Sequence, residues 1–131
     1  MKYLLDTGIF LWSLDAVHRL NRHAKNLLSS PTSELFLSAA SSWEIAIKFQ
    51  SGSLRLPKAP SQFVPDGSAS LGIRPLDITH QHTLQAGALP VYHRDPFDRM
   101  LIAQAQAESM VLLTADRQLR KYSVQMIFCG R

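Results

Sequence analysis

Short apolar runs alternate along this chain with stretches whose apolar positions recur at i, i+3 and i+4, a pattern that predicts strands and helices in turn. Tyr3-Leu4-Leu5 predicts a short buried strand ending at Asp6, and Ile9, Phe10 and Leu14 form a helical stripe behind it. A second helix is expected over about 21–29. Leu35-Phe36-Leu37 reads as the next strand, followed by a helix over 41–50 that Gly52 closes. Beyond the turn-rich 57–60, a weak helix is expected at 61–69 and a short strand at 73–76. A helix over 80–89 is stopped by Pro90. Asp95-Pro96 opens a strong helix running to about 108; residues 110–114 form the clearest strand, 116–122 a short helix and 124–128 a last strand. Elements of this length in alternation imply an α/β fold of three layers, helices on both faces of a central, mainly parallel sheet. Trp12, Phe36, Trp43, Phe49 and Phe97 lie on apolar positions and are expected in the core.

Composition adds limits to this outline. The chain has 131 residues, 46% of them hydrophobic, with no internal repeat or long linker, and a single domain over 1–131 is expected. Cys129 is the only cysteine, so no internal disulfide can form and a reducing, cytoplasmic setting is expected. The opening MKYLLDTGIFLWSL has the basic and apolar flavour of a leader, but Asp6 interrupts it and no small-residue cleavage site follows. No apolar run approaches the roughly 18 residues of a membrane span, so no membrane association is expected. Net charge is +4, acids included. Basic residues recur at helical spacing in Arg19, Arg22 and Lys25 and in Arg117, Arg120 and Lys121, while Arg94 and Arg99 flank an acid. Such a distribution suits a polyanion.

Asp6, Glu44, Asp98 and Asp116 each fall at or just inside a helix start. Singly, each is accounted for by capping: Asp6 and Asp116 as N-caps, Glu44 through a Ser41–Glu44 capping box with Lys48 as an ion-pair partner, and Asp98 by the helix dipole behind Asp95 and Pro96. Jointly they read differently. Asp98 heads the stripe Leu101, Ile102, Ala105 and should point inward, whereas a pure cap has no need to. Asp6 and Asp116 follow buried-strand runs, and in an open α/β sheet the C-terminal strand ends line one edge. Glu44 fits less well, because the stripe of its helix runs through Trp43, Ala46 and Ile47. Packed carboxylates repel one another and raise their own pKa values, a penalty that Mg²⁺ or Mn²⁺ removes.

The residues in this order resemble the PIN-domain ribonucleases, and most closely the VapC toxins of bacterial type II toxin-antitoxin pairs. Leu4-Leu5-Asp6-Thr7, Ser41 to Lys48 and Leu113-Thr114-Ala115-Asp116 carry the likeness, and His93 to Ala105, HRDPFDRMLIAQA, is its most specific block. The resemblance implies a PIN-like fold and a divalent cation held by Asp6, Glu44, Asp98 and Asp116, with the Thr114 hydroxyl supporting the site. It implies hydrolysis of RNA, a homodimer and a cognate VapB-like antitoxin. Arg94, Arg99 and Arg117 are candidates for contact with substrate phosphate, and Asp95 is expected to be a cap only. Other classes fit less well. Metal-free histidine catalysis lacks a convergent pair, because His80 and His82 should face different directions and His93, ahead of the signature helix, has either a structural role or a place at the rim. Asp6-Thr7-Gly8 spells an aspartic-protease triplet, but that class needs a β-rich chain and a second aspartate of the same kind. A receiver-type phospho-acceptor would need an adjacent acid pair after its first strand. A noncatalytic binding module of the same fold would have no use for all four acids.

Overall fold

The computed structural model describes residues 1–131. Five strands, β1 (Lys2–Leu5), β2 (Glu34–Ser38), β3 (Ile73–Leu76), β4 (Val111–Thr114) and β5 (Met126–Phe128), form one sheet in the order β3-β2-β1-β4-β5. Every neighbouring pair is parallel. The helices are α1 (Thr7–Asp15), α2 (Arg22–Ser29), α3 (Ala39–Gln50), α4 (Pro60–Leu71), α5 (His80–Ala88) and α6 (Pro96–Glu108). The α/β architecture expected from the alternation is the one observed.

Period-2 side-chain direction divides the core between the two faces of the sheet. Leu5, Leu35, Leu37, Val111 and Leu113 point to one face and pack with Ile9, Phe10, Ala24, Leu27, Ile45 and Phe63 from α1 to α4. Leu4 and Leu112 point to the other face, against Leu101, Ile102 and Ala105 of α6 with Met110, Leu119 and Tyr122. Both faces are covered, so the central strands are apolar throughout instead of alternating. Each fully buried leucine or isoleucine contributes about 1.5–3 kcal/mol.

Boundaries differ from expectation where the sequence offered a false signal. α3 starts at Ala39 and is capped by Ser38, whose Oγ accepts from Ala40 N at 3.0 Å. Ser41 is therefore inside the first turn, and no Ser41–Glu44 capping box exists. The residues after Asp116 form a 3-10 turn at Arg117–Lys121 in place of a short α-helix, and the last strand begins at Met126 instead of 124. On α3 the inward side is Ala40, Ser41, Glu44 and Ile45, whereas Trp43 is 64% exposed and Ile47 and Phe49 are exposed too. The expected core roles of Trp43 and Phe49, and the stripe through Trp43 and Ile47, are corrected accordingly. Trp12 and Phe36 do pack against the core, and Phe97 meets Trp43 edge-on at 5.6 Å. The edge strand β3 carries Pro75 in its middle, a residue that offers no backbone donor.

Candidate metal centre

β1 is the middle strand, so the residue after it has strand ends on both sides. The register Leu5↔Leu113 and Leu5↔Leu37 puts Asp6 beside Thr114 and Ser38, and Asp6 N donates to Leu113 O at 2.9 Å. The Asp6 side chain does cap α1, with Oδ1 accepting from Ile9 N at 2.8 Å, and its Oδ2 accepts from the Thr114 hydroxyl. No cation pairs with it. Asp6 is buried, and its carboxyl is pushed from 3.8 up to about 6, first by desolvation and then by the charges of Asp98 and Glu44, against the lowering effect of its two hydrogen bonds.

Glu44 reaches the same region from α3. The Thr7 hydroxyl lies 2.6 Å from Glu44 Oε1 and 2.9 Å from Ser41 Oγ. With one proton to give, Thr7 donates to the carboxylate and accepts from Ser41. Glu44 Oε2 accepts from Lys48 Nζ at 2.6 Å, the expected i,i+4 pair. That hydrogen bond raises the Lys48 pKa, with desolvation opposing it.

At the start of α6, Asp95 is the N-cap, accepting from Phe97 N at 2.8 Å and Asp98 N at 3.1 Å, with Pro96 at the first helical position. Asp98 then heads the buried Leu101, Ile102, Ala105 face, as the spacing predicts. Desolvation raises its pKa and the hydrogen bond from His93 opposes the rise. His93 Nε2 is 2.8 Å from Asp98 Oδ2 and 3.9 Å from Asp116 Oδ2. One atom each from His93, Asp98 and Asp116 falls within a 4.8 Å cluster, open enough to hold a metal ion. Asp116 is joined to Asp6 through one hydroxyl, since Thr114 Oγ1 donates to Asp6 and accepts from Asp116 N at 3.0 Å.

The acids thus form two linked groups at one sheet edge. Asp98 and Asp116 gather around His93; Asp6 and Glu44 lie deeper, felt by Asp98 as charge and held by Thr114, Thr7 and Lys48. Thr7 and Ser41 were not singled out as site residues, although a hydroxyl directly after an acid at a strand end was a visible signal. His93, expected to be structural or at the rim, lies within 3.9 Å of two of the acids. Of the arginines, Arg94 and Arg117 are exposed, but Arg99 is not free for phosphate. Its guanidinium donates to the carbonyls of Ala86, Leu89, Pro90 and His93 at 2.8 to 3.3 Å, which leaves it as a strut.

The family model described as PIN domain matches residues 3–125. The chain belongs to the PIN-domain family. Ribonuclease VapC16 of Mycobacterium tuberculosis is 38% identical over 69 residues, 53% of this chain and 46% of the relative, so the likeness spans about half the length of that protein. Among solved structures, VapBC2 from Rickettsia felis bound to a promoter DNA fragment superposes with a TM-score of 0.73 at 16% identity, covering 99% of this chain and 100% of the other. FitAcB from Neisseria gonorrhoeae gives 0.66 at 18% identity, covering 95% and 96%. Identities this low carry the PIN fold, and the five-stranded parallel sheet described above is that fold. No helix is long and apolar enough to cross a membrane.

Proposed function

We propose that this PIN domain, taken as one unit over 1–131, is an endoribonuclease that hydrolyses RNA phosphodiester bonds with Mg²⁺ or Mn²⁺. The observation that carries this reading is Asp6. A buried carboxylate lifted to about 6, with no cationic partner and two further acids raising it, is costly unless a cation completes the site. The donors fit a hard divalent ion, being carboxylate oxygens with one imidazole at the rim. Asp6, Asp98 and Asp116 would hold it, and Glu44 would hold it or orient the attacking water. When bound, the cation supplies a lowered pKa for a coordinated water and offsets charge on the phosphate. Thr114 fixes the direction of the Asp6 carboxylate and ties it to the Asp116 backbone.

Within that reading the protein is the cytoplasmic toxin of a type II pair, silenced by a VapB-like antitoxin. Support comes from the solved neighbours, one a VapBC-1 from nontypeable Haemophilus influenzae and another a toxin-antitoxin complex from Klebsiella pneumoniae. Exposed Trp43, Ile47 and Phe49 on α3, close along the helix to Glu44, supply apolar surface for such a partner or for a second copy in a homodimer. The test is direct. Purified protein should cleave RNA with Mg²⁺ or Mn²⁺, and Asp98→Asn should lose cleavage while keeping its circular dichroism spectrum. Undiminished cleavage in EDTA would overturn the metal reading, and binding without cleavage under either ion would overturn the enzyme. Induction in a bacterium should arrest growth, and co-expression of an antitoxin should restore it.

A further inference from the structure

A shallow cavity of about 320 Å³ is lined by Tyr92, Arg117, Gln118, Arg120 and Lys121, and of these only Arg117 has figured in the chemistry described so far. Two of its lining residues are chain neighbours of the candidate metal centre. Arg117 follows Asp116 in the chain, and Tyr92 precedes His93, whose Nε2 is 2.8 Å from Asp98. Arg117, Arg120 and Lys121 form no salt bridge. Tyr92 is 53% exposed, its ring backed by Tyr122 in an edge arrangement at 5.2 Å and approached by Lys121 Nζ at 5.9 Å.

We propose that this cavity seats one unpaired nucleotide of an RNA strand, immediately beside the phosphate that is hydrolysed. The base stacks on the open face of Tyr92, and Arg117, Arg120 and Lys121 hold its phosphates. A cationic groove with an interleaved aromatic is the chemistry of single-strand binding, because every unpaired base has a face to stack. A duplex offers none. The platform is also rigid before any ligand arrives. Tyr122 Oη donates to Pro90 O at 2.9 Å and accepts from His93 N at 3.0 Å, and Arg99 donates to the carbonyls of Pro90 and His93. Tyr92 lies between those two fixed points, so little ordering cost remains to be met on binding. Gln118 adds an amide that both donates and accepts, which suits the edge of a base.

The proposal rests on the hydrolase reading only for which phosphate is the neighbour; the seating of the nucleotide does not need it. Binding is therefore measured in EDTA, where no cleavage is required, using short single-stranded RNAs with 2-aminopurine at one position. Stacking on Tyr92 should quench its fluorescence at a single position when protein is added, and the same base inside a duplex, already stacked and quenched, should show no further change. Tyr92→Ala should weaken binding roughly tenfold and abolish the quench, while Tyr92→Phe restores both. Arg120→Ala should flatten the slope of log K against log salt by about 1. A Tyr92→Ala protein with wild-type affinity and quench overturns the pocket. The two readings fail separately. Loss of binding in Tyr92→Ala, in a protein that cleaves no RNA with any cation, upholds the pocket and removes the hydrolase; cleavage at unchanged KM in Tyr92→Ala removes the pocket alone.

Discussion

At the scale of single residues, Asp6 is a side chain whose ionisation works against the fold. Its pKa in the folded protein, about 6, lies above its ordinary 3.8, so the folded state favours the protonated form. The stability it contributes is fully present below 3.8 and is lost as pH rises through about 6, a difference of about 3 kcal/mol by neutrality. In EDTA, the melting temperatures of wild type and Asp6→Asn should therefore diverge across this window, with wild type falling behind. Mg²⁺ should close the gap for wild type and leave the variant unmoved. A difference that stays constant with pH would show that Asp6 carries no such burden. Asp98 was readable in the sequence because the apolar face it heads is regular. Glu44 was not, because α3 inverts the usual rule: Ser41 and Glu44 point inward while Trp43 and Ile47 face solvent. Periodicity places apolar residues inside, and it fails where a polar site occupies the inside of a helix.

At the scale of elements, what sequence could not show is how the loop between α5 and α6 is held. Arg99 looks like a surface cation beside an acid in a linear reading. Folded, its guanidinium donates to the carbonyls of Ala86 and Leu89 at the end of α5 and to those of Pro90 and His93 in the following loop, and so ties that loop to α5 and α6. Only a planar fork can span these acceptors; an ammonium is a point donor. Arg99→Lys should cost about 2 kcal/mol and speed amide hydrogen exchange at residues 91–94, with exchange in the central strands unchanged. Equal protection of that loop in both proteins would show that Tyr122 alone secures it. The 3-10 turn at Arg117–Lys121 was similarly beyond reach, since a five-residue segment has too few turns for periodicity to distinguish helix types.

At the scale of the whole molecule, the alternation of strand and helix was enough to predict a parallel sheet with helices on both faces, because strands this apolar must be buried on both sides. The strand order was not legible. Nothing in Met110 to Thr114 says that β4 returns to the far side of β1, yet that return is what brings Thr114 and Asp116 to Asp6. The sheet ends on one side at β3, where Pro75 leaves a gap in the row of outward amides, and on the other at the three residues of β5. Neither margin offers a long, flat row of open donors and acceptors, so the sheet resists zipping into cross-β aggregates. Pro75→Val reinstates the missing donor. It should leave the monomer folded but make light scattering grow with concentration, and scattering equal to wild type would locate the protection elsewhere.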